Sequence, residues 1–230
     1  MAPTDRNTAE ARPVEVPLGA ARLRGDLGVP RAANGIVVFA HGSGSSRHSP
    51  RNHYVARVLE RRSLATLLID LLTPEEERID DRTAEYRFDI PMLARRLVAI
   101  VDWLRAQPET AGLSIGFFGA STGGGAALMA AADRPRDVAA VVSRGGRPDL
   151  AGGALSTVAA PTLLIVGGHD EPVIGMNRDA MARMRCHVAL EIVPGATHLF
   201  EEPGTLERVA VLAADWFDQY LRPASSPGRP

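Results

Sequence analysis

Short apolar runs recur along the chain: GIVVFA, LATLLID, SIGFFGA, VAAVVS, PTLLIVGG and VALEIVPG. Each is about the length of a strand, is rich in Val, Ile, Leu or Phe, and closes on Gly, Asp or Ser. Their hydrophobicity is continuous rather than alternating, which predicts strands covered on both faces, as in a parallel sheet. Ahead of them, VEVPLG and ARLRGDLGV predict an antiparallel pair turning at Gly19. Helical periodicity fills the gaps. Leu93, Leu97, Ile100, Val101 and Leu104 share one face, as do Leu206, Val209, Ala210, Ala213, Phe217, Tyr220 and Leu221. Two opening strands and six buried ones, alternating with helices, predict an α/β fold: a doubly wound, mostly parallel eight-stranded sheet with right-handed crossovers. In such sheets ligands sit beyond the carboxyl ends of the strands.

Composition narrows the partners rather than the fold. The 230 residues are 45% hydrophobic and 23% charged, as expected of a soluble globular chain. One domain over 13–222 is expected, with disordered segments at 1–12 and in the Pro- and Ser-rich 223–230. A net charge of −1 gives no pull toward nucleic acid or an anionic membrane. No apolar run approaches the roughly 18 residues of a membrane span. MAPTDRNTAEARP lacks the apolar core of a secretory signal, so a cytoplasmic location is expected. The single Cys186 excludes an internal disulfide and a multi-cysteine zinc site, and reads as a packing residue.

The chemistry concentrates in GFFGASTGGGAAL, residues 116–128. A Walker phosphate loop starting at Gly119 fails, because Gly125 stands where lysine is required. No frame supplies the G-x-G-x-x-G of a dinucleotide loop. Gly119, Ser121 and Gly123 do fit G-x-S-x-G, with a strand before them and an alanine-rich helix former after. That motif places a serine on a strained strand-to-helix turn and demands partners in the order Ser, acid, His, each after a strand. Asp170 follows PTLLIVGG, with Glu171 beside it, and His198 follows LEIVPGA. An acyl-transfer site also needs backbone N–H groups aimed at the developing oxyanion. Thr122, just after the nucleophile, supplies one. The loop His41-Gly42-Ser43-Gly44 supplies the other, assigned to Ser43, with Gly42 and Gly44 letting the backbone approach substrate closely. His41 precedes the nucleophile and is read as structural.

HGSGSS, GASTGGG, VGGHDEPV and PGATHLFEEPG, in this order and spacing, resemble a small α/β-hydrolase of the dienelactone hydrolase group. More narrowly, with RFDIPMLARRLVAIVDWL and VVSRGGRPDLAG, they resemble its serine-containing members, whose domain also occurs fused to a phosphoribosyltransferase domain. The resemblance covers nearly the whole chain. It implies an α/β-hydrolase fold and hydrolysis of a small ester or lactone, with no metal and no cofactor. Dienelactone hydrolases themselves use Cys where this chain has Ser121. Two other activities of the fold stay open: cofactor-free perhydrolase or haloperoxidase-type acyl transfer, and a non-catalytic binding role. A homodimer also stays open.

Only about 18 residues separate AVVS from TLLIV, too few for a cap domain, so an open site is expected. Arg47, Arg144 and Arg147 fall in loops bordering the same strand ends. They read as surface charge, or as a clamp for a substrate carboxylate or phosphate. TPEEERIDDRTAEYRFD reads as a charge-rich, solvated excursion.

Overall fold

The computed structural model describes residues 10–19, 21–42 and 44–221. Of the terminal segments predicted to be disordered, residues 1–9 and 223–230 fall outside these residues, while residues 10–12 are described and β1 already begins at Arg12.

The eight strands are β1 (Arg12–Leu18), β2 (Ala21–Gly28), β3 (Gly35–Ala40), β4 (Leu64–Ile69), β5 (Ser114–Ala120), β6 (Val138–Arg144), β7 (Thr162–Gly167) and β8 (Val188–Val193). They form one sheet in the order β1-β2-β4-β3-β5-β6-β7-β8. β1 pairs antiparallel with β2, and β2 antiparallel with β4; every later pairing is parallel. The opening hairpin turns at Gly19, whose φ of +59 favours glycine.

All residues of β3, β4 and β7 are buried, which explains their unbroken hydrophobicity. Successive side chains go to opposite cores: Ile36 and Val38 to one, Val37 and Phe39 to the other. α3 (Ile90–Ala106) and α4 (Thr122–Asp133) cover the first core; α1 (Pro50–Arg61) and α6 (Thr205–Leu221) cover the second. α3 starts where Asp89 accepts a hydrogen bond from the Met92 N–H at 2.9 Å, and buries the stripe read from its sequence. β8 departs from the fully covered pattern. It is one of the two edge strands, mostly half-buried, with Ile192 exposed.

The charge-rich segment is more than a solvated excursion. It contains α2 (Pro74–Thr83), opened by a reciprocal capping box between Thr73 and Glu76. Asp80 is 3% exposed and accepts from the Tyr86 and Arg87 N–H groups at 2.8 and 2.9 Å, while its other oxygen meets Arg87 Nε at 2.6 Å. Glu76 receives Arg96 of α3 at 2.5 and 2.7 Å. Ion pairs thus anchor this helix where apolar residues are too few. Between β6 and β7, a 3₁₀ stretch (Pro148–Thr157) leads back into the sheet, and no helical cap is inserted. α5 (Glu171–Arg183) fills the last crossover.

Candidate active site

β5 ends at Ala120 and α4 begins at Thr122, leaving Ser121 alone at the junction with φ +49 and ψ −123. The positions two residues to either side must be glycine. A Cβ on Gly119 would lie 2.6 Å from the Gly124 Cα, and one on Gly123 would overlap the Ala40 carbonyl oxygen. Gly42 runs so close that its Cβ would lie 2.8 Å from that of Ser121. The β3 loop, the β5 turn and α4 therefore interlock main chain against main chain.

The turn is braced from β6. Ser121 N–H points to the Arg144 carbonyl at 3.4 Å, and the Ser121 carbonyl accepts from the N–H groups of Gly124 and Arg147, both at 3.0 Å. The same loop meets the histidine. Gly145, at φ +51, lies under His198, where an added Cβ would stand 3.5 Å from ring carbon Cε1. His198 Nδ1 lies 2.6 Å from Asp170 Oδ2, as an Nδ1–H donating to a carboxylate. Asp170 leads into α5 just beyond β7, and Asp170 N–H donates to the Gly167 carbonyl at 3.0 Å. The three predicted residues thus stand at the carboxyl ends of β5, β7 and β8, around the 144–147 loop.

Thr122 opens α4, so its N–H is not used by the helix. It is 3% exposed and lines a cavity with His41, Gly42, Gly44, Leu71 and Leu93. Ser43 lies outside the described residues. His41 holds this loop in place: its Nε2 accepts the Leu71 N–H at 3.1 Å, so the proton sits on Nδ1, 3.1 Å from the Gly42 carbonyl.

The three arginines fare differently. Arg47 pairs with Asp26 at 3.3 Å and with Asp70, and its N–H donates to Asp70 at 2.7 Å. Arg147 makes a two-pronged contact with Asp149 at 2.9 and 2.7 Å. Both charges are already met. Arg144 is 7% exposed, with its guanidinium 5.8 Å from the centre of the Phe200 ring.

Two supporting residues escaped sequence reasoning. Glu202 accepts from Thr197 N–H at 3.0 Å and from Thr197 Oγ1 at 2.6 Å, tightening the turn that carries His198. Those bonds hold its carboxyl below the ordinary range. Asn177 of α5, fully buried, donates from Nδ2 to the Gly146 carbonyl at 3.0 Å. Glu202 sits four residues beyond His198 in an acidic run; Asn177 carries no sequence signal at all. Among the described residues, no group of three or more His, Cys, Asp or Glu side chains is arranged to hold a metal ion, and no helix is long and apolar enough to cross a membrane.

The sheet order, the glycine-bounded serine turn and the histidine–carboxylate pair beyond the strand ends are those of the α/β-hydrolase fold. The model of the dienelactone hydrolase family matches residues 27–221, and the chain belongs to that family. A dienelactone hydrolase from Anabaena variabilis is 62% identical, with a TM-score of 0.91 over 93% of this chain and 99% of its own. A dienelactone hydrolase-like promiscuous phosphotriesterase from metagenomic libraries shares the fold at 20% identity, with a TM-score of 0.76 over 93% of this chain and 99% of its own. A Mycobacterium tuberculosis (strain ATCC 25618 / H37Rv) protein named as a phosphoribosyl transferase is 60% identical over 208 residues, 90% of this chain. The chain spans about half the length of that relative, which is matched over 46%.

Proposed function

We propose that this chain is a serine hydrolase cleaving small carboxylic esters or lactones through an acyl-enzyme. The observation that carries the reading is the 2.6 Å His198–Asp170 hydrogen bond, in a molecule whose Ser121 occupies the strand-to-helix turn. Ser121 Oγ attacks the carbonyl carbon while His198 Nε2 takes its proton; Asp170 fixes the imidazole tautomer and stabilises the imidazolium. The oxyanion is held by the Thr122 N–H and by an N–H of the 42–44 loop, assigned to Ser43. The ester C–O bond then breaks, and His198 returns the proton to the leaving oxygen. A water attacks the acyl-enzyme in turn, with His198 as base, releasing the acid and restoring Ser121. These steps need neither metal nor cofactor.

A fluorophosphonate probe should label wild-type protein at Ser121 and leave Ser121→Ala unlabelled. Purified Ser121→Ala should lose on the order of 10⁴- to 10⁶-fold in kcat on p-nitrophenyl esters. Turnover near that of wild type would end the serine reading. Asp170→Asn should cost far more than Glu171→Gln; the reverse ranking would reassign the acid. With no cap over the strand ends, efficiency should peak at acetyl to butyryl esters, since each further CH₂ left in water forfeits roughly 0.8 kcal/mol.

A further inference from the structure

The two edges of the sheet are finished differently. β1 carries Pro13 and Pro17, which have no N–H to offer a further strand, and its exposed side chains include Arg12 and Glu15. β8 reads VALEIV, pairs with β7 in unbroken register, and has neither proline nor lysine to deter another strand. The carbonyls of His187 and Val193 accept from the N–H groups of Thr162 and Gly168, at the two ends of β7. Direction alternates along a strand, so the N–H and C=O groups of Val188, Leu190 and Ile192 turn away from the sheet.

The side chains of this edge are unmatched as well. Cys186 and Val188 pack on the α5 side, and by alternation Leu190 and Ile192 follow them; Ile192 is 36% exposed. Ala189 packs on the α6 side, the face that Arg185, His187 and Glu191 share with it. Among the described residues, neither Arg185 nor Glu191 has an ion pair. His187 is exposed, and its ring is fixed. The Tyr220 oxygen accepts from Gln219 Nε2 at 3.1 Å and lies 2.5 Å from His187 Nδ1, with Trp216 packed against both rings. With the phenol proton given to Nδ1, the imidazole proton sits on Nε2 as a donor.

We propose that β8 is an interface between two copies of this chain, paired antiparallel about a two-fold axis at Ala189, so that the two sheets run on as one. A two-fold normal to the sheet keeps each face with its like. Val188 then exchanges backbone hydrogen bonds with the partner's Leu190, and Cys186 lies opposite the partner's Ile192, which makes the α5 face apolar throughout. On the α6 face His187 stands opposite the partner's Glu191, in a pair without backbone bonds, where side chains approach most closely; Arg185 lies on the diagonal. Centring on Leu190 instead would set Glu191 opposite an alanine and diagonal to its own copy, like charge near like. The residues beyond Leu221 include Pro223, Pro227 and Pro230, and so make a poor strand to cover this edge from within the chain. The interface gives β8, and the turn that leads on to His198, a second neighbour.

Sedimentation velocity is run on wild type, Ile192→Lys, Glu191→Arg and His187→Glu, from about 1 to about 100 µM. Wild type should be dimeric within this range. Ile192→Lys sets a cation in the apolar face and should raise the dissociation constant by about 100-fold. Glu191→Arg and His187→Glu each set like charges opposite one another and should raise it by about tenfold. An equimolar mixture of those two chains restores opposite charges at both ends of the ladder, and should dimerise about as tightly as wild type. A monomeric wild type overturns the interface, as does an Ile192→Lys chain that dimerises like wild type, or a mixture no tighter than its two components. Should circular dichroism show Ile192→Lys unfolded, wild type and the two charge variants decide.

Discussion

Ser121 sits where L-residues rarely go, and its backbone is held there by packing it does not itself provide. A positive φ of this kind costs a non-glycine residue on the order of 1–3 kcal/mol. Glycine would relieve that strain, at a cost of about 0.5–1 kcal/mol in chain entropy. Ser121→Gly should therefore gain about 1 kcal/mol, raising Tm by roughly 2–4 °C for a chain of this size, while losing hydrolysis. Scanning calorimetry reads the first effect and an ester assay the second; an unchanged or lowered Tm would mean the turn stores no strain. Gly119 and Gly123 show the opposite constraint. Added atoms there meet backbone that cannot move aside.

At the scale of elements, α5 does more than bridge β7 and β8. Its first turn follows Asp170, and its buried Asn177 grips Gly146 in the loop that touches both Ser121 and His198. Asn177→Leu leaves the Gly146 carbonyl without this donor, a loss of about 1–3 kcal/mol if no other donor reaches it. A fall in the urea midpoint together with a several-fold drop in kcat at little change in KM would mark it as a positioning residue. A lower midpoint with kcat intact would mark it as structural only. None of this was legible in the sequence, because Asn177 acts through a partner 31 residues away. What the sequence does reveal follows period and punctuation: the strands, the faces of α3 and α6, and the glycine-bounded serine with its ordered partners. α2 was hidden because salt bridges hold it down, and charge pattern alone does not distinguish an anchored carboxylate from a solvated one. Arg47 and Arg147 looked available for the same reason; their partners appear only when the chain is folded.

Across the whole molecule, buried and paired carboxylates set the response to acid. Burial pushes Asp80 and Glu76 upward, but the bonds from Arg87 and its neighbours, and from Arg96 and Thr73, outweigh it and hold both below their ordinary 3.8 and 4.5. A depressed carboxyl contributes stability above its unfolded pKa and loses it as pH falls through the lowered folded value. The wild-type urea midpoint should therefore drop steeply below about pH 4. Asp80→Asn should start lower at pH 7 and show a shallower acid limb; two parallel curves would show that Asp80 does not contribute. Glu60 has the opposite sign. Desolvation raises its carboxyl against the weaker pull of Thr66, so its contribution is full below pH 4.5 and fades as pH rises through the raised value.

The geometry of the sheet also divides the candidate site by robustness. Ser121 hangs from β5, in the interior of the sheet, whereas His198 follows β8, which has a neighbour on one side only. Edge strands are among the first parts of a sheet to open. The candidate base thus stands at the margin of the sheet and the candidate nucleophile in its interior. A ligand that touches both residues closes a clasp across four strands, fastening an edge strand to an interior one.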